Sequence, residues 1–115
     1  MVQTPMNTEQ WVTVCKVADI DPNTGVCALI NDEQVAIFRI GETEEIYAIG
    51  NFDPFSKAYV LSRGIIGDRN GILKVASPIY KQNSSLKTGE CLDDESVTIP
   101  SYPVQIIDGS IQVSH

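Results

Sequence analysis

Short β-branched runs separated by turn sequences dominate this chain and leave little room for helix. The runs are WVTVCKV from Trp11, GVCALIN from Gly25, QVAIFRI from Gln34, EIYAIG from Glu45, ILKVA from Ile72, and VQII and IQV flanking Asp108-Gly109. The segments between them are turn-formers. In Asp21-Pro22-Asn23-Thr24-Gly25, proline presets one dihedral and glycine tolerates a positive φ. A polar turn from Asn31 to Glu33 joins two runs as a hairpin, and Gly41 to Glu44 makes the next turn, with Glu42, Glu44 and Glu45 a solvated acidic cluster. Asn70-Gly71 and Asp108-Gly109 are further turn dipeptides. This spacing predicts an all-β domain, a sandwich of about nine short strands with long loops at one tip and little helix.

Two stretches break the rhythm. Residues 1–9 are polar, contain Pro5 and lack periodicity, so they are expected to form a flexible tail ahead of a domain spanning 10–114. NFDPFSKAYVLSRGIIGDRN, residues 51–70, predicts a long connection with one helical turn near Ala58 to Leu61; a loop of that length in a compact domain usually has a purpose. From Leu73 to Val104 the pattern predicts a strand, a tight turn at Ser77-Pro78, a strand, a Thr88-Gly89 turn, and a strand leading into the last hairpin. No internal repeat stands out.

Charge and cysteine content narrow the chemistry. A net charge of −7, from 15 acidic and 8 basic side chains, disfavours nucleic-acid binding, which needs a basic face. No apolar run approaches the roughly 20 residues of a membrane span, and MVQTPMNTEQ lacks the regions of a secretory signal, so a cytoplasmic location is expected. The three cysteines, Cys15, Cys27 and Cys91, form no C-x-x-C, and the only histidine is His115. A zinc site or disulfide framework is therefore not expected, and the cysteines read as small buried hydrophobes. No base lies near Cys27 or Cys91 to activate a nucleophile. Arg63 and Arg69 are either solvated or within reach of an anionic ligand.

VASPIYKQNSSLKTGEC, with YAIGNFDPFSKA before it, resembles the two ligand loops of a Rieske iron–sulfur domain. There one cysteine and one histidine from each loop hold a two-iron cluster. Pro54, Pro78, Leu86, Thr88, Gly89 and Cys91 fall at the family's turn and strand positions, whereas Asp53 and Ser77 stand where cysteines would be, and Phe55 and Tyr80 where histidines would be. From about Gln10 to Val113 the chain is similar to one branch that has lost these ligands: the small subunit of assimilatory NAD(P)H-dependent nitrite reductase. TGVCALINDEQVAIFRI, NFDPFSKAYVLSRGII and VASPIYKQ are the distinctive stretches.

The resemblance implies a Rieske-like sandwich with no cofactor and no catalytic residue of its own. It implies a nitrite reductase large subunit as partner, carrying FAD, siroheme and an iron–sulfur cluster and reducing nitrite to ammonium. Asp53 and Ser77 are expected to bond nearby backbone N–H groups; a hard-cation site at Asp53, Ser77 and Tyr80 would offer one carboxylate only. Phe52, Pro54, Phe55, Pro78, Ile79 and Tyr80 form a candidate partner-binding tip, the other reading being that the aromatics fill the volume a cluster would take. The rival functions are an orphan Rieske-like interaction module with another partner and a ferredoxin with unusual ligands.

Overall fold

The computed structural model describes residues 11–79 and 81–114. The expected tail at 1–9, Tyr80 and His115 lie outside the described residues. Among the rest, strands β1 (Trp11–Lys16), β2 (Thr24–Ile30), β3 (Glu33–Ile40) and β4 (Glu45–Gly50) follow the expected runs closely. Asn31 and Asp32 both take positive φ, 50° and 68°, the two-residue geometry whose twist matches that of paired strands. β2, β3 and β4 pair antiparallel in sequence order, and β10 (Ser101–Tyr102) adds to the free side of β4. A second sheet runs β1-β12-β11, from β11 (Val104–Ile107) and β12 (Ser110–Ser114), so the first and last strands pair.

β3 is the centre of the molecule. Val35, Ala36, Ile37 and Phe38 are buried in succession, because alternate side chains enter two different cores. Val35 and Ile37 join Ile20, Ile46, Ile111 and Val113 in one. Ala36 and Phe38 join Ile49, Leu61, Val75, Leu86 and Ile99 in the other. The four-stranded sheet is thus covered on both faces, by the terminal sheet on one and the loop-bearing half on the other.

That second half differs from expectation at several points. Among the described residues twelve strands form, against about nine expected, the additional ones being only two to five residues long. The segment from 51 to 70 contains three short strands: β5 (Phe52–Asp53) pairs with β6 (Ala58–Tyr59), and β7 (Ile65–Arg69) pairs along its whole length with β8 (Ile72–Ala76). The helical turn lies at Leu61–Arg63, later than expected, since Ala58 is held opposite Asp53 in a miniature hairpin. β7 escapes notice because Gly67 and Asp68 are poor strand formers; its partner across the Asn70-Gly71 turn supplies what its composition does not.

After Ser77, the next strand is only Asn83–Ser85 (β9). The strand expected before the last hairpin reduces to isolated bridges, Ser84 with Cys91 and Glu90 with Thr98, and then the short β10 between two prolines. Cys15 is half-buried and Cys91 buried, but Cys27 is exposed on β2, so it is not the buried hydrophobe expected. Burial raises the thiol pKa of both Cys27 and Cys15, the charge of Asp19 adding to the effect at Cys15, which disfavours a reactive thiolate.

Gly89 packs the Thr88-Gly89 turn against the segment before β10. Its φ is +81°, and a Cβ there would sit 1.8 Å from the carbonyl oxygen of Ile99. The expected outcome for Gly89→Ala is a loss of about 3 kcal/mol or more in urea denaturation. Gly71→Ala, with positive φ but open space around it, should cost only the ~1–2 kcal/mol of left-handed strain. Equal effects would show that backbone collision at Gly89 is relieved.

Candidate functional site

Two loops of the same design form the site. The first leaves β5 as Asp53-Pro54-Phe55-Ser56-Lys57, and the second leaves β8 as Ser77-Pro78 and ends at Lys81. Each closes with a backbone bond from the lysine N–H to the carbonyl four residues earlier, 2.7 Å at Asp53 and 3.1 Å at Ser77. Both lysines take left-handed φ, 59° and 69°. In each loop the leading side chain accepts from the N–H two residues on: Phe55 to Asp53 Oδ1 at 3.0 Å, and Ile79 to Ser77 Oγ at 3.2 Å. Asp and Ser are suited to this because their short polar side chains mimic a turn of backbone. The shared pattern DPFSK and SPIYK was the available signal for a five-residue repeat that scanning for long repeats passes over.

The loops are joined side chain to side chain. Ser77 Oγ donates to Asp53 Oδ2 at 2.5 Å, and Ser56 Oγ donates to the same oxygen at 2.8 Å. Asp53 and Ser77 are 1% and 2% exposed. The distance falls in the range of hydroxyl-to-carboxylate bonds, which are about twice as strong as neutral ones. The expected bonds to backbone N–H are therefore present, and a direct bond between the two positions accompanies them.

This arrangement does not fit a two-iron cluster. Metal–ligand bonds of about 2 Å hold ligands on either side of a metal well beyond 2.5 Å apart, whereas Asp53 and Ser77 are bonded to each other. Phe55 has no lone pair to offer. Among the described residues no three His, Cys, Asp or Glu side chains converge as a metal would require. A hard cation is no better served, because three donors already point at the Asp53 carboxylate.

Polar braces that sequence reasoning missed hold the loops in place. Asn51, fully buried, donates through Nδ2 to Gln34 Oε1 at 3.0 Å and accepts the Ser62 N–H at 2.7 Å, tying the first loop to β3 and to the Leu61–Arg63 turn. Near the second loop, Asn83 donates its backbone and side-chain N–H groups to Asp93 Oδ2, and receives Lys74 Nζ at 2.7 Å. Arg69 meets Asp93 Oδ1 at 3.1 Å, so this arginine is paired. Among the other candidates, Phe52 and Ile79 are exposed, while Pro54, Phe55 and Pro78 are half-buried.

Residues 10–114 match the family model for the Rieske-like [2Fe-2S] domain. The chain belongs to the Rieske-like [2Fe-2S] domain family. Within it, this Rieske-like chain is homologous to the nitrite reductase (NADH) small subunit of Escherichia coli strain K12, with 48% identity over 104 residues, 90% of this chain and 96% of that one. The NMR structure of the E. coli protein NirD superposes with a TM-score of 0.87 at 47% identity, covering 93% of this chain and 97% of that one. The Klebsiella oxytoca nitrite reductase NAD(P)H large subunit contains a similar stretch, 35% identical over 105 residues, which is 91% of this chain but 11% of that protein.

Two predictions follow from this geometry. Asp53→Ala should lower stability by about 2–4 kcal/mol and Ser77→Ala by about 1–2, with the double variant losing at least about 1 kcal/mol less than the sum. Denaturation of the four proteins measures this, and strict additivity would deny the bond between them. Asp93 has its pKa lowered, first by the Asn83 backbone N–H and further by Arg69 and the Asn83 side chain, against the opposing effect of burial. A depressed pKa in the fold adds stability above the unfolded value, which is lost as pH falls through the folded one. Asp93→Asn should therefore flatten the acid limb of the stability curve below about pH 4, read by denaturation over a pH series.

Proposed function

We propose that this chain is the non-catalytic small subunit of a cytoplasmic NAD(P)H-dependent nitrite reductase, which reduces nitrite to ammonium in nitrate assimilation. In this reading it binds and orders a large subunit that carries FAD, siroheme and an iron–sulfur cluster. Electrons do not pass through the small subunit. The observation that carries the reading is the near full-length correspondence with nitrite reductase small subunits. The similar stretch within the Klebsiella large subunit supports a physical partnership, since modules that share one polypeptide in one organism are suited to dock when made separately. The Asp53–Ser77 bond supports the structural role, because it joins the two loops directly, side chain to side chain.

The tip is the proposed contact, through Phe52, Pro54, Phe55, Pro78 and Ile79, with Tyr80 included on sequence grounds. No helix among the described residues is long and apolar enough to cross a membrane, and the reading places none there.

A pull-down with this chain as bait, from extract of nitrite-grown cells, tests the partnership. The expected eluate contains a large protein with siroheme absorbance; a clean bait from extract that reduces nitrite would favour an orphan interaction module instead. Anaerobic incubation of the purified chain with iron and sulfide should leave it colourless. A stoichiometric two-iron spectrum would return the chain to the electron carriers.

A further inference from the structure

Beside the first loop lies an open groove of about 630 Å³ whose lining includes Leu29, Phe52, Tyr59, Ile99 and Tyr102. Leu29 and Tyr59 are 69% and 56% exposed, and Phe52 is 39% exposed, although all three are large apolar or aromatic side chains. Phe52 and Tyr59 face each other across the β5–β6 hairpin, edge to face with ring centroids 5.1 Å apart. Rings fixed this way lose little freedom when a partner covers them, which is why aromatic residues anchor interfaces. Their hairpin also contains Asp53, so the bond to Ser77 steadies one side of the groove.

The charged side chains that line the groove have one sign. Asp32 and Glu33 belong to its lining, and among the described lining residues there is no lysine or arginine. The Glu33 charge reaches the groove: the Tyr102 phenol is pushed up in pKa, by burial first and by Glu33 second. The other large concavity, of about 470 Å³ beside Ile72, mixes Lys87 with Glu45 and Glu90 and so selects no charge. Ile65 and Ile107 are exposed but line neither of these concavities.

We propose that this groove seats a segment of the large subunit in which an aromatic or long aliphatic side chain is flanked by lysine or arginine. The apolar side chain covers Leu29, Phe52 and Tyr59, and the cation meets Asp32 and Glu33. This extends the proposed contact from the loop tips onto the face formed by β2 and the β5–β6 hairpin, and it rests on the subunit reading above.

The test uses the full chain and the purified, cofactor-loaded large subunit as probe, with affinity measured by titration calorimetry at low and high salt. Tyr59→Ala and Leu29→Ala should each weaken binding by at least about 30-fold, while Ile65→Ala, outside the groove, should not. Asp32→Asn combined with Glu33→Gln should weaken binding about fivefold at low salt and little at high salt, as screened charges do. Hydrogen exchange of the unaltered chain guards against a variant that fails to fold: the backbone around residues 52–59 and 98–102 should become slower to exchange in the complex. If the unaltered chain binds but the groove variants keep full affinity and the groove gains no protection, the groove assignment falls and the subunit reading stands. If the unaltered chain does not bind the large subunit, both fall.

Discussion

Val35 to Phe38 must be buried on both faces of one strand, and this requirement organises the molecule. A strand with a single buried face would alternate apolar and polar; here the alternation sorts side chains between two cores instead. One core needs the terminal sheet and the other needs the loop-bearing half, so neither half can detach without exposing β3. The two site loops begin where elements of the second core end, Gly50 on β4 leading toward Asp53 and Ala76 on β8 leading into Ser77. Packing around Ile49 and Val75 therefore sets the separation across which Asp53 and Ser77 meet.

At the tip, one hydrogen bond between buried side chains holds two loops in register. A hydrogen bond to a charged group contributes about 1.5–3 kcal/mol. It suffices because each loop is already closed by its own backbone bond and capped by its own side chain. The Asp53–Ser77 contact only has to register two preformed turns against each other. Burial of the carboxylate is tolerated because three donors replace the water it loses.

The hairpins were readable because their turns use residues that accept positive φ: Asn31-Asp32, Asn70-Gly71 and Asp108-Gly109 all do so. That the two loops correspond was readable because Pro54 and Pro78 stand at the same place in both. β7 was not, since a strand containing Gly67 and Asp68 declares itself only through its partner. Lys57 and Lys81 also take left-handed φ, which local propensity does not forecast for lysine; loop closure imposes it. The Asn51 and Asn83 braces connect residues distant in sequence, and a buried amide looks like any other amide until its partners are in place. The groove is of the same kind: Leu29 and Tyr59 lie in segments that give no hint of sharing a surface.

The pairing of β1 with β12 has a bearing on how such a domain can be used. Trp11 lies opposite Ser114, so the described chain enters and leaves the fold at neighbouring points on one sheet. A domain with adjacent entry and exit can be inserted into a longer polypeptide with little displacement of the flanking segments. The same pairing that closes this small sheet makes the unit transplantable, and separate subunit and built-in module become two ways of delivering one folded part.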